Sequence, residues 1–243
     1  MLKPVAWAIF LNYVVFGTVI LLLAWFLIED KQLWYGFVII AATPPGVAIA
    51  PFTGVLSGNT RYSLIGVIGA YFASLVIIPL VGLIFIGGSF IQPVRLVIIL
   101  IELIIGPFII SQALIKFKLD RFIKRWRGLF VNWGLFIIIF AVIALNREVL
   151  FKNLRVVGIV SAIAFITVFG LGFVIEALLK KSRTPKKDRG HLILFATIKN
   201  GGFAAATALS LFGSKASLPG AVVSVFLILF LIVLSFRKRA ISS

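Results

Sequence analysis

The chain has no cysteine, one histidine and only 7 acidic residues among its 243. Without Cys there are no disulfides, no iron–sulfur clusters and no thiolate metal sites. His191 lies at the edge of an apolar run and reads as a solvated structural residue, not as a ligand or a base. No nucleophile–base pair and no metal cluster is visible, so the sequence does not read as an enzyme and asks for no cofactor. Charge of either sign is scarce: Asp, Glu, Lys and Arg make up 13% of the chain, against roughly 25% in a soluble domain. Apolar residues fill the space instead, at 62%. That composition is expected of an all-α polytopic membrane protein, with the lipid bilayer as its first partner.

Runs of about 20 apolar residues place eight spans, at 4–28, 33–57, 63–87, 94–115, 129–146, 156–179, 191–213 and 219–236. The first run is too long for a signal-peptide core, so no cleavable signal is expected. The net charge of +17 sits in the loops. With Lys3 placed in the cytoplasm and Lys199 set aside, 17 Lys and Arg fall on the inner side and six on the outer. The positive-inside rule then puts both termini in the cytoplasm, and the protein in the cell membrane. Trp25, Trp34 and Tyr35 cluster at the outer interface, while Trp7, Trp126 and Trp133 lie near the inner one. The basic loops therefore read as orientation signals and contacts to anionic lipid, not as a nucleic-acid surface.

Two spans carry helix breakers at mid-depth. Span 33–57 contains Thr43-Pro44-Pro45-Gly46, and adjacent prolines remove two backbone donors and clash with the preceding turn. Span 191–213 contains Lys199-Asn200-Gly201-Gly202. At 1.5 Å per residue the breaks lie ~16 and ~14 Å inside their spans, close to the bilayer midplane. Each break follows the start of a preceding long span by about 40 residues, and each is followed by one more long span. Spans one to three and six to eight therefore read as two copies of one helix–broken helix–helix unit in opposite orientations. Inverted repeats with paired broken helices are an architecture of alternating-access transporters. The chain is read as a single transmembrane domain over 1–243. Its core is 4–87 with 156–236, and its panel is the helix pair in 94–146.

Lys199 is a charge in the hydrocarbon core, where insertion costs about 2.5–3.5 kcal/mol. It reads as a functional group, against the alternative that its stem snorkels to the interface. The half-helices leaving Gly46 and Asn200 present unpaired N–H groups, which together with Lys199 favour an anion. The groups expected around a cargo are Thr43, Pro45, Gly46, Lys199, Asn200 and Gly201. Thr53 and Thr197 carry less weight, because a membrane Thr usually bonds its own i−4 carbonyl. Glu102, near Pro107, reads as a partner of Arg95 or Lys199, as a protonated carboxyl, or as a relay. Glu176 and Lys180 read as an ordinary i,i+4 pair.

At both breaks the chain resembles the bile acid:sodium symporter family. The first resemblance runs from Ala42-Thr43-Pro44-Pro45-Gly46 through Leu56-Ser57-Gly58-Asn59 to Ser63-Leu64. The second covers Ile198-Lys199-Asn200-Gly201-Gly202-Phe203-Ala204-Ala205-Ala206, followed by Ser217-Leu218-Pro219-Gly220-Ala221. The resemblance implies a ten-helix fold with a six-helix core and a four-helix panel, of which this chain would carry helices three to ten. The missing first pair would come from a second copy, from another protein, or from sequence upstream of Met1.

The resemblance also implies two sodium sites, and their positions here are depleted. Ile49 and Ala50 stand at the Ser-Asn pair, Val67 at one of two hydroxyls, Phe195 at the Glu and Lys199 at the Gln. Ser63 keeps the other hydroxyl and Asn12 a further amide, which makes both candidates for coupling alongside Lys199 and Glu102. Hard cations need several oxygen ligands, so no metal site is expected and Lys199 stands where a sodium ligand would be. A buried lysine can also exchange its proton. Two readings follow. One is a secondary transporter of a small organic anion, sodium-independent or proton-coupled. The other is a sensor, scaffold or subunit that keeps the transporter fold and moves no cargo.

Overall fold

The computed structural model describes residues 2–87, 101–118 and 143–242, with isolated positions between 98 and 141. Among the described residues the protein is all-helical, with one isolated antiparallel bridge, between Pro45 and Lys199, and no strand. Four described helices are long and apolar enough to cross a bilayer: Leu2–Leu27, Thr60–Phe85, Leu154–Lys181 and Ser214–Arg237. They are labelled α1, α4, α7 and α10 in chain order, α10 continuing to Ser242. The other helices are α2 (Lys31–Ala42), α3 (Ile49–Val55), α5 (Gly106–Lys116), α6 (Arg147–Lys152), α8 (Lys186–Thr197) and α9 (Gly201–Phe212). Spans 94–115 and 129–146 lie partly outside the described residues, and Arg95 lies wholly outside them.

The helix starts follow local capping chemistry. Asp30 accepts from the Gln32 and Leu33 N–H groups at 3.0 and 3.1 Å and opens α2. Asn59 caps α4 through the Tyr62 N–H, and Asn153 caps α7 through the Val156 N–H. Each satisfies one or two of the amides that a helix start leaves open. Gly213, at φ 91, turns the chain between α9 and α10; that backbone conformation is open to glycine and strained for other residues.

The expected breaks are both present, at the expected places. Helix α2 ends where Thr43 turns extended (φ −69, ψ 154), the conformation that a following proline imposes. The helix resumes at Ile49. Helix α8 ends where Ile198 turns extended (φ −99, ψ 106), and α9 begins at Gly201. Helix α8 starts at Lys186, five residues before the apolar run, with Asp188 in the first turn, where a negative charge is favourable. That earlier start overturns the solvated reading of His191. It is 2% exposed, its ring 4.4 Å from that of Tyr62 and 6.2 Å from that of Phe195.

Two long helices have a feature the sequence pattern did not announce. Helix α1 widens into a π-helical stretch at Phe10–Phe16, and α7 does so at Ile166–Gly170. Such turns interrupt the regular ladder and concentrate at functional positions. The first one carries Asn12, Tyr13 and Phe16 into the buried centre.

Candidate functional site

The two breaks meet back to back. The Gly46 N–H donates to the Ile198 carbonyl at 3.0 Å, and the Asn200 N–H donates to the Pro44 carbonyl at 3.0 Å. Extended backbone inside a bilayer must find its hydrogen bonds within the protein, and each break provides them for the other. Gly46 is needed for the approach: a Cβ there would lie 2.8 Å from Ile198 Cγ2 and 3.0 Å from the Lys199 carbonyl oxygen.

The bridge leaves two severed helix ends whose carbonyls still need donors. At the end of α2, the Thr43 N–H donates to the Ile39 and Ile40 carbonyls, and Thr43 Oγ1 donates to Ile40 again at 2.9 Å. Lys199 Nζ closes the rest, donating to the Ala41 carbonyl at 2.8 Å and the Thr43 carbonyl at 2.7 Å. The ammonium sits over the Tyr13 ring at 4.5 Å and near the Phe16 ring at 5.5 Å. A cation at a helix C-terminus and against aromatic faces is stabilised by both. Lys199 is only 2% exposed, so it does not snorkel.

At the end of α8, a neutral amide does the equivalent work. Asn12 Nδ2 donates to the Phe195 carbonyl at 3.0 Å and the Ile198 carbonyl at 3.2 Å. Asn12 is fully buried, and its Oδ1 has no partner among the described residues. Tyr13 beside it donates its hydroxyl to the Ala70 carbonyl at 2.7 Å, fixing the ring under the ammonium.

The remaining sequence candidates divide by position. Thr43, Pro45, Gly46, Lys199, Asn200 and Gly201 all lie in the crossing, and Asn12 joins them. Gly201 packs against α10, where an added Cβ would run into Ser224 and the Gly220 carbonyl. Ser63 is one step removed: it pairs with Thr53 Oγ1 at 2.7 Å and bonds the Asn59 carbonyl, not the lysine. Thr53 and Thr197 bond their own i−4 carbonyls, as their type predicts. Ile49, Val67 and Phe195 are buried, apolar members of the core, with Ala50 buried beside them. Glu102 faces outwards on a short π-helical stretch, Ile101–Ile105, and the two hydrogen bonds of Lys199 go to carbonyls, not to this carboxylate. Glu176 pairs with Lys180 at 2.7 Å as expected and additionally with Arg237 at 2.9 Å, which ties α7 to α10. Among the described residues no three His, Asp or Glu come together as a metal site.

One polar group of the crossing reaches the protein surface. Asn200 is half-buried, while Thr43 to Gly46, Lys199, Gly201 and Gly202 are buried. Its Oδ1 accepts the Phe203 N–H at 3.1 Å and caps α9, and its Nδ2 donates to the Tyr71 hydroxyl at 2.6 Å. Tyr13 and Tyr71 escaped the sequence reading because a tyrosine in an apolar span looks like any other packing residue. The signal that could have found Tyr71 is its spacing: it follows Ser63 and Val67 at four-residue steps on one face of α4.

With all-helical structure and four apolar helices long enough to cross a bilayer among its described residues, the chain is an integral membrane protein, and broken helices that meet at mid-depth are a feature of secondary transporters. The family model described as "Sodium Bile acid symporter family" matches residues 1–153, more than half of the chain, and the protein belongs to that family, a family of transporters. No curated protein matches the chain significantly. The matched stretch includes the first break and α4; Lys199 and the second break lie beyond it.

Proposed function

We propose that this protein is a secondary transporter of a small organic anion, working by alternating access without a bound sodium ion. The observation that carries the reading is the buried Lys199 ammonium, hydrogen-bonded to the two carbonyls that end α2. It holds a positive charge between the two breaks, at a position where the family resemblance implies a sodium ligand. The burial of Ile49, Val67 and Phe195 in place of oxygen ligands supports the same conclusion. Lys199 then acts in coupling, as a resident cation or as the group that exchanges a proton, and its charge is felt by the cargo without direct contact. The cargo meets the crossing at Asn200.

In this reading 4–87 and 156–236 are inverted three-helix units forming the core, and 94–146 belongs to the panel. The panel is completed by a second copy, by another protein or by sequence upstream of Met1, and the protein sits in the cell membrane with both termini in the cytoplasm. The paired breaks support the repeat, since each closes on the other.

The test is uptake into proteoliposomes of labelled cholate, benzoate and pyruvate, with sodium and pH gradients imposed separately. Uptake of at least one of them, unchanged by sodium and lost in Lys199→Met, is the expected result. Uptake that requires sodium, or that survives Lys199→Met, overturns the proposal. No uptake of any probe, with the fold intact, favours a sensor or scaffold that moves no cargo.

A further inference from the structure

Every polar group at the crossing but one pair is turned inward. The ammonium of Lys199 and the amide of Asn12 bond the severed helix ends, and the hydroxyls of Thr43 and Thr197 bond their own helices. Asn200 and Tyr71 are different. Both are half-buried, and they are bonded to each other across α4 and α9.

The direction of that bond is fixed by the helix. Asn200 Oδ1 accepts the Phe203 N–H as the cap of α9, which assigns the amide nitrogen to the other side, facing Tyr71. The nitrogen can only donate, so the Tyr71 oxygen accepts, at 2.6 Å. Its own O–H is then left as a donor, because a phenol that accepts from an amide cannot also turn its proton towards it. Among the described residues no acceptor for that proton is present, nor for the second proton of the Asn200 amide. Each oxygen of the pair already accepts one bond. The pair therefore keeps two adjacent donors unspent.

We infer that Tyr71 and Asn200 form a two-donor clamp for the carboxylate of the cargo, with Asn200 orienting the Tyr71 hydroxyl. This rests on the transport reading above and names the group that selects the cargo's chemistry. Two adjacent donors suit the two oxygens of a carboxylate and disfavour the corresponding neutral amide, which offers one oxygen and sets an N–H against the second donor. The location suits a cargo path as well: Phe72, next along α4, meets Phe108 of α5 with ring centroids 6.2 Å apart, which brings a panel helix of the reading above beside this stretch of α4.

The experiment compares each carboxylate with its neutral amide in proteoliposomes of the full chain: cholate with cholamide, benzoate with benzamide, pyruvate with pyruvamide. Wild type should prefer the acid. Tyr71→Phe, which keeps the ring and removes the donor, should raise the half-saturation concentration roughly tenfold while leaving the maximal rate within about twofold, as loss of one charge-assisted hydrogen bond does. The preference over the amide should shrink by the same factor. Placing 3-fluorotyrosine at position 71, with nearly the same shape and a stronger donor, should lower the half-saturation concentration below wild type, a response that a packing role would not give. Wild-type transport with an unchanged acid preference in Tyr71→Phe overturns the clamp and leaves the transport reading standing. Failure of the wild type to take up any probe removes both.

Discussion

The two severed helix ends at the centre of this protein solve one problem by different means. Helix α2 is broken by prolines, and its open carbonyls receive a charged group, Lys199, from the opposite break. Helix α8 is broken without proline, and its open carbonyls receive a neutral amide, Asn12, from the π-helical stretch of α1. The outgoing half-helices differ in the same way: α9 has Asn200 as a side-chain cap, whereas α3 has none. Proline ends a helix by itself, and the local polar side chain at the first break, Thr43, bonds only its own helix. The second break holds Lys199, which serves the first, and Asn200, which caps its own outgoing helix. The chemistry of the site is therefore concentrated in one break, and the other is mostly shape.

That asymmetry can be broken experimentally. The largest effect is expected from Lys199→Met, which leaves the Ala41 and Thr43 carbonyls buried without donors and should cost on the order of 3 kcal/mol. Unfolding in detergent micelles measures it; a loss below that of Asn12→Leu would reverse the ranking of the two ends. Gly46→Ala comes next, at about 2 kcal/mol, because the new Cβ must push Ile198 and the Lys199 backbone apart. Its amide exchange should rise at Gly46 and Asn200 together, since the two bonds close one bridge. Asn12→Leu should cost roughly 1 kcal/mol: two carbonyls lose a donor, but the unpartnered Asn12 Oδ1 goes with it.

The smallest effect lies away from the crossing, at the start of α2. Asp30 meets Lys215 at 2.6 Å. Partial burial opposes ionisation of its carboxyl, but the Lys215 ammonium and the Leu33 and Gln32 N–H groups together hold it below the usual carboxylate range. A carboxyl with a lowered folded-state pKa stabilises the fold above its unfolded value, near 3.9, and loses that contribution as pH falls through the folded value. For a pair this exposed the contribution is at most about 0.5 kcal/mol. Melting between pH 6 and 3 should show a slightly shallower acid loss in Asp30→Asn, which keeps the cap and drops the charge.

The breaks and the lysine were readable from the chain because proline, glycine and buried charge act locally, whatever surrounds them. Thr43 to Gly46 and Lys199 to Gly202 mark the crossing by composition alone. The partners were not readable. Nothing in the sequence around Ala41 says that its carbonyl will receive an ammonium from residue 199, since that contact depends on how four helices pack. Glu102 was one candidate partner on charge grounds, with Arg95 as its own alternative, and the lysine bonds a helix end instead. The π-helical turns have no sequence signature, so Tyr13 and Phe16 could not be placed under the ammonium beforehand. His191 was misplaced for a simpler reason: the charged residues before it were assigned to a loop, and they form the first turn of α8.

The lysine at the crossing is covalently attached to the chain, unlike a bound ion. An ion that cannot leave has no concentration difference across the membrane, and it can be neither depleted on one side nor replenished on the other. It can set the electrostatics that hold two helix ends together through a whole cycle, but it contributes no driving force. Under the transport reading, accumulation of cargo above equilibrium would have to draw on a second gradient such as that of protons, and without one the protein would only let the electrochemical potential of the cargo equalise.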